Sequence, residues 1–366
     1  MKILTIVGAR PQFVKAAMLS RAIAEYNTQH PKAPIIEHLM HTGQHYDKNM
    51  SHIFFDQLGI PKPTWQLHWG NRTEGEMTGN ILIDAEKIIK RNHPNRVIVF
   101  GDTDSTLGGA LAAAKLFVPI VHVEAGLRSF NRKMSEEINR VVTDHVSSLL
   151  CCPTSTAVKN LQNEGITKGV HLVGDVMYDA SLLLGSLSDS QSTIMQKLEL
   201  KDKAFRLLTV HRPDNTEEKR IKEITAAALT LATEECPVIW PLHPRTRMTL
   251  EKYALIREIR LNKHLILTDP LGYLDMTALE KHALQILTDS GGVQKEAYFH
   301  RTPCITLRNE TEWVETVEAH WNILAGYKSD KIIKCCLSKP KHREEIEEYG
   351  DGHAAEKILS LLWEKC

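Results

Sequence analysis

A chain of 366 residues is too long for one ordinary hydrophobic core and suits two domains of roughly 150–200 residues. Its 45 lysines and arginines balance its 45 aspartates and glutamates, which excludes a broad basic face for nucleic acid and an acidic solvating tail. The apolar run in the opening MKILTIVGARPQF is too short for a signal peptide, and no later stretch reaches the roughly 18 apolar residues of a membrane span, so a soluble, cytoplasmic protein without membrane partners is expected.

Short runs rich in Val, Ile and Leu alternate with longer segments of helical apolar period. Ile3 to Val7 predicts a strand and Arg10 to Tyr26 a helix; Ile35 to Met40 is a strand and Glu76 to Lys90 a helix. Strands follow at Val97 to Phe100, Ile120 to Val123 and Leu149 to Cys152, with Ser135 to Val146 helical. After HLVGDVMYDA, His171 to Ala180, the alternation restarts, with strands at Arg206 to Val210, Val238 to Trp240, Leu265 to Leu267, Leu284 to Leu287 and Cys304 to Leu307. Ser186 to Lys203, polar and then helical, reads as an excursion between cores. This is the pattern of an α/β protein with two Rossmann-like, doubly wound domains. Residues 1–172 form the first and 173–350 the second, joined near Gly174; the terminal segment, 351–366, is helical and can pack back on the N-terminal domain or close against the second.

The seven cysteines include two adjacent pairs, Cys151/Cys152 and Cys335/Cys336, but no CxxC, and their odd number suits reduced packing residues. Among 18 histidines no HExxH occurs. His41 and His45 are four apart, yet Gly43 between them and the strand before them argue against a helical metal face, so no metal is expected.

In open α/β sheets ligands sit at the carboxyl ends of the strands, so the polar residues there are the functional candidates. The first strand ends in GARPQFVK, where Gly8 permits a tight turn, Pro11 suits a first helical turn, and Arg10 stands at a helix N-terminus able to hold phosphate. GDTDST brings Asp102 and Asp104, HVEAGLRS brings Glu124 and Arg128, and MSEEINR brings Glu136, Glu137 and Arg140. The second domain answers with His211, Arg212 and Asp214 in TVHRPDN and with His243, Arg245 and Arg247 in PLHPRTR. Taken singly, Asp102 reads as a helix cap, Glu136 and Glu137 as first-turn acids favouring the helix dipole, Lys15 as a solvated helix residue, and each histidine as satisfied in place. Taken together they predict an acidic wall facing a basic wall across an interdomain cleft. In TDSGGVQKEA, Gly291 and Gly292 let backbone N–H groups approach a phosphate, Ser290 adds a hydroxyl and Glu296 can accept from ribose. Neither GxxxxGK[ST] nor GxGxxG is present, so no ATP-driven or dinucleotide cofactor chemistry is supported.

These motifs, with TGQHYD and TEWVETVEAHWN, run almost end to end in an order that resembles the non-hydrolysing UDP-N-acetylglucosamine 2-epimerase family. The resemblance implies a glycosyltransferase-B type architecture, no cofactor, a homodimer, and inversion at C2 of a UDP-2-acetamido sugar by anti elimination of UDP to a glycal and re-addition, in the service of bacterial-type surface polysaccharide precursors. Carried over by position, Asp102, Glu124, Glu136, His211 and Lys15 match the family's catalytic set, and Arg10, His45, Arg140, His243, Tyr273, Ser290, Gly291, Gly292 and Glu296 match its substrate and UDP contacts. The chain departs from the best-known branch at Trp313, where arginine is usual, at Gln12, often acidic, and in HRPDN where HRxEN is common. These variants resemble the branch acting on UDP-2,3-diacetamido-2,3-dideoxy-glucuronic acid, and Trp313 bears on both the sugar substituents and allosteric control by substrate. A hydrolysing epimerase that releases UDP, a glycosyltransferase sharing the cradle, and a non-catalytic nucleotide-sugar sensor are the alternatives.

Overall fold

The computed structural model describes residues 1–44, 61–68, 72–339, 342–345 and 347–363, without the side chains of Arg10 and Glu348. The chain divides into two compact units, Met1–Ala180 with Glu347–Cys366, and Ser181–Ile346. No helix among the described residues is long and apolar enough to cross a membrane.

The first unit is built on seven parallel strands: β1 (Lys2–Val7), β2 (Ile36–His41), β3 (Trp65–Gln66), β4 (Arg96–Phe100), β5 (Ile120–Val123), β6 (Leu149–Cys152) and β7 (Val170–Leu172). Their order is β3-β2-β1-β4-β5-β6-β7. The chain therefore winds outward from β1 in one direction and returns past it with β4, opening a crevice at the carboxyl ends of that neighbouring pair. Helices on both faces explain why the central strands are apolar throughout: every residue of β4 is buried, and Ile3, Leu4, Ile6 and Val7 of β1 are fully so.

The second unit repeats the plan with β8 (Arg206–Thr209), β9 (Val238–Pro241), β10 (Leu265–Thr268), β11 (Gln285–Thr288), β12 (Cys304–Thr306) and β13 (Asn322–Leu324), in the order β10-β9-β8-β11-β12-β13. Here the reversal falls between β8 and β11. Trp240 and Leu208 anchor the core on one face, Phe205 and Ile286 on the other.

All ten predicted strands form, to within a residue at each end. The three that periodicity misses, β3, β7 and β13, are two or three residues long and lie at sheet edges. A strand paired on one side and half open to solvent has no need of a continuous apolar run.

The terminal helix, Ala354–Leu361, belongs to the first unit. Its leading N–H groups at Ala354 and Ala355 donate to the Asp179 carboxylate at 3.1 and 2.8 Å, and Arg96 Nε donates to Leu362 O at 2.7 Å. Burial pushes Asp179 up to about 6, against the pull of those two bonds. Nearby, Gly174 meets Gly350 with both at φ +89°; a Cβ on Gly174 would stand 2.9 Å from Tyr349 O. Glycine is needed where these two segments touch.

Candidate active site

In the first unit the polar residues gather past the carboxyl ends of β1, β4 and β5. Glu124 follows β5 directly and holds φ at +70°, a left-handed conformation that costs a non-glycine residue about 1–2 kcal/mol. Its Oε2 accepts from Lys15 Nζ on the helix Arg10–Gln29. Both side chains are largely buried, Lys15 at 7% exposure and Glu124 at 11%, so Lys15 is no solvated surface lysine. Gly101, just beyond β4, makes room for the pair: a Cβ there would lie 3.1 Å from Glu124 Oε2 and 3.6 Å from Lys15 Nζ. The recess beside the pair is lined by Lys15, Glu124, Pro153, Gly174 and Asp175.

Asp102 comes next in the chain. Arg140, buried on the helix Ser135–Val146, donates from Nη2 to Asp102 Oδ2 and from Nη1 to Glu137 Oε2 at 3.1 Å. Asn139 Nδ2 donates to Asp102 O at 3.0 Å. The Asp102 side chain keeps 30% of its surface exposed and reachable. Capping does not explain it, because the cap of the helix Asp104–Lys115 is Thr103, whose hydroxyl accepts from Thr106 N–H.

The two first-turn glutamates separate. Glu137 is buried and accepts from Ser129 N–H at 2.9 Å, Ser129 Oγ at 3.0 Å and Phe130 N–H at 2.8 Å, so it ties down the loop after Leu127. Glu136 is half-buried. Burial above all, then the fields of Glu74 and Glu136, raise the Asp104 carboxyl above its ordinary range, against its bonds with Thr78 and Asn139.

Beneath Gly101 lies a buried ionic cluster. His122 Nδ1 is 2.7 Å from Asp144 Oδ1 and its Nε2 is 2.7 Å from Gly101 O. Asp144 Oδ2 accepts from Arg128 at 2.7 Å and from Gly126 N–H at 3.1 Å, and Arg128 also pairs with Glu164. The cluster fixes the backbone on both sides of the Lys15–Glu124 pair. Arg10 opens its helix at the same sheet end, and His45 lies outside the described residues.

In the second unit His211 stands two residues past β8 and Asp289 directly after β11, the strand hydrogen-bonded to it. Asp289 is fully buried. It accepts from His211 N–H at 3.1 Å, Arg212 N–H at 3.0 Å and Asn215 Nδ2 at 3.2 Å, and lies 3.5 Å from His211 Nδ1. Burial drives the His211 pKa below its ordinary value; Asp289 pulls it up, and Arg212, Arg245 and Arg308 push it down. Arg245 Nη1 donates to His211 O at 3.0 Å, and the His243 ring lies 5.8 Å from that of His211. His243 also caps the helix Pro244–Lys252, accepting from Arg245 N–H at 3.2 Å.

Ser290 caps the helix Gly291–Phe299 through its hydroxyl. Neither Gly291 nor Gly292 has positive φ, and a Cβ on either would come no nearer than 3.6 Å to the protein atoms around it. The fold itself therefore does not require glycine here; the missing side chains leave backbone N–H groups open to approach from outside. Tyr273 Oη donates to Glu296 Oε1 at 2.9 Å, joining two of the predicted UDP contacts. Trp313 is buried beside Gly291, with the Lys295 ammonium 3.9 Å from its ring centroid.

The structure thus pairs Lys15 with Glu124, Asp102 with Arg140, His211 with His243 and Tyr273 with Glu296. The sequence singles out Arg128 by its place after a strand but not its partners His122 and Asp144, nor Asp289, which stands inside a motif noted for its glycines. Position after a strand was the available signal for Asp289; its partner depends on sheet order.

The family model for UDP-N-acetylglucosamine 2-epimerase matches residues 29–363. A Methanococcus maripaludis protein named UDP-N-acetylglucosamine 2-epimerase homolog is 49% identical over 365 residues, 99% of each chain. The UDP-2,3-diacetamido-2,3-dideoxy-D-glucuronate 2-epimerase of Pseudomonas aeruginosa is 46% identical, again over 99% of each. Among solved structures, the Methanocaldococcus jannaschii UDP-GlcNAc 2-epimerase in complex with UDP-GlcNAc and UDP superposes with a TM-score of 0.89 at 40% identity, covering 99% of each chain.

Proposed function

The chain belongs to the UDP-N-acetylglucosamine 2-epimerase family, and on that premise we propose that it is an isomerase inverting C2 of a UDP-2-acetamido sugar. The proton on C2 is removed as the bond from C1 to the UDP oxygen breaks, leaving a C1–C2 double bond. UDP oxygen then returns to C1 while a proton reaches C2 from the opposite face. The two half-reactions balance without a net oxidant or reductant, in keeping with the cofactor-free chemistry that the family resemblance implies.

Each half of that chemistry has residues suited to it. Asp102, Glu124 and Glu136 exchange the proton, with Arg140 and Lys15 supplying counter-charge beside the first two. His211, in a field of three arginines, and the open helix start at Ser290, Gly291 and Gly292 take up the charge that develops on the departing diphosphate. Tyr273 and Glu296 serve the nucleoside end, His243 the diphosphate, and Arg10 and His45 complete the substrate contacts. What carries this assignment is the near-complete match to relatives named for this reaction, with the strained Glu124 and its buried lysine partner intact at the site. Both UDP-GlcNAc and UDP-2,3-diacetamido-2,3-dideoxy-glucuronate fall within the proposed substrate class, and a cytoplasmic homodimer is its proposed working form, supported by family resemblance.

Proton NMR of the protein with each UDP-sugar in deuterated water tests the proposal. Deuterium should enter at C2 of both epimers without net release of UDP. Stoichiometric free UDP and sugar would instead indicate hydrolysis, and transfer without C2 exchange a glycosyltransferase. Asp102→Asn, Glu124→Gln and His211→Ala should each abolish exchange; near-normal exchange in all three would contradict the assigned roles.

A further inference from the structure

The backbone of Trp313 is held from both sides by a buried network that ends on one atom. Trp313 N–H donates to Thr311 Oγ1 at 3.1 Å, and Thr311 Oγ1 donates to Gln294 Oε1 at 2.6 Å. On the other side Thr316 Oγ1 donates to Trp313 O at 2.7 Å and accepts from Asn322 Nδ2 at 3.3 Å. Asn322 Nδ2 also donates to Gln294 Oε1 at 3.1 Å, while its Oδ1 accepts from Thr306 Oγ1 at 2.7 Å. The directions are forced, because a backbone N–H can only donate and a carbonyl can only accept. Thr311 therefore passes its proton on to Gln294, and Thr316 spends its own on Trp313 O and must accept from Asn322. Both paths require an acceptor where Gln294 Oε1 stands; Nε2 of the same amide has no partner among the described residues. Gln294 and Thr316 are fully buried, and Asn322 is 2% exposed.

Gln294 belongs to the helix Gly291–Phe299, where its N–H donates to Ser290 O at 3.2 Å. The loop it fastens to that helix follows β12 and carries Arg308, Glu312 and Trp313. Glu312 Oε2 and Trp313 Nε1 flank the helix start, 3.6 and 3.7 Å from where a Cβ on Gly291 would stand. A carboxylate so close to a proposed diphosphate site is tolerable only while it is turned onto a cation, and Glu312 is bound by Arg308 at 3.0 and 3.1 Å. We infer that Gln294 is a positioning residue for UDP binding: its carbonyl oxygen locks the loop Arg308–Trp313 against the helix, keeping Glu312 on Arg308 and the Gly291 N–H open to phosphate. Removing the acceptor leaves Thr311 and Asn322 with buried donors to satisfy, and the loop shifts to do so.

This inference rests on the proposed UDP-sugar chemistry, and its test is UDP affinity by calorimetry on the whole chain. Gln294→Met and Thr311→Val, close in shape but lacking the acceptor and the hydroxyl, should each weaken UDP about five- to tenfold. Thr311→Ser, which restores the hydroxyl, should stay within about twofold of the wild type. Because Thr311 acts through Gln294, the double variant should be no worse than Gln294→Met alone. The kcat/KM for C2 exchange should fall by at least the same factor while the pH–rate profile keeps its shape, since no titrating group has been touched. Hydrogen exchange should show lost protection at Trp313 in Thr311→Val. Should Gln294→Met fail to fold, the Thr311→Val and Thr311→Ser pair carries the test. UDP affinity within twofold of the wild type in folded Thr311→Val, or additive losses in the double variant, would overturn the inference. If the wild type binds no UDP, the epimerase assignment is what fails, and unchanged Trp313 protection in Thr311→Val would separately refute the loop-locking role of Gln294.

Discussion

Asp289 offers the sharpest test of how the second unit prepares His211. Asp289→Asn keeps the side-chain shape but removes a fully buried negative charge 3.5 Å from His211 Nδ1. At an effective dielectric constant near 20, a charge pair at that distance is worth about 5 kcal/mol. The histidine ring is 40% exposed, so solvent screens most of this and about 1–1.5 kcal/mol remains. The direction is fixed: Asp289 is the group raising the His211 pKa against burial and three arginines, so its loss lowers that pKa further. Whether the neutral or the charged ring supports turnover, the limb of the pH–rate profile governed by His211 moves toward acid. The asparagine also turns one N–H toward the backbone donors of His211 and Arg212, with a cost of about 1–3 kcal/mol to local order. Deuterium entry at C2, followed as kcat and kcat/KM from acid to alkaline pH, reads the limb directly. If it stays in place while turnover falls, Asp289 acts through packing alone and the electrostatic account of His211 is wrong.

Asp144→Asn strips Arg128 and His122 of a buried counter-charge and should cost about 3–5 kcal/mol, a drop of roughly 6–20 °C in melting temperature by calorimetry. Burial alone would raise the Asp144 carboxyl, but His122 and Arg128 outweigh it and the net direction is down. Its stabilisation is therefore complete above the unfolded value of about 3.9 and is lost as pH falls through the lower folded value, so the variant should show less acid lability than the wild type. Asp179 works in the opposite sense: with its pKa pushed up to about 6, ionisation costs stability as pH rises from about 4 through about 6, and Asp179→Asn should flatten that decline in urea titrations. Gly101→Ala adds strain at φ +61° and crowds the Glu124 carboxylate, so kcat should fall about tenfold for a loss of only about 1–2 kcal/mol in stability; a purely structural glycine would lose stability with kcat intact.

The fold was legible because parallel strands buried on both faces must be written as continuous apolar runs, and helices between them as runs of period 3.6. The edge strands β3, β7 and β13 escaped notice for the converse reason. At the site, residue types and their places after strands were readable, and so was the oddity of two glycines at a helix start. Their partners were not. A default that treats Lys15 as solvated fails because Glu124, 109 residues away, turns back to meet it. The capping alternative for Asp102 fails by one residue, since Thr103 is the cap and Asp102 is left to Arg140.

By itself the sequence determined which segments become strands and helices and which acidic, basic and glycine residues stand at strand ends, since period and burial are properties of each element alone. Tertiary structure decided which strand ends are neighbours. β1 lies beside β4 and β8 beside β11, and that ordering sets Gln12 against Phe100 and His211 against Asp289. Periodicity records which side of an element is buried, and carries no record of what is buried against it.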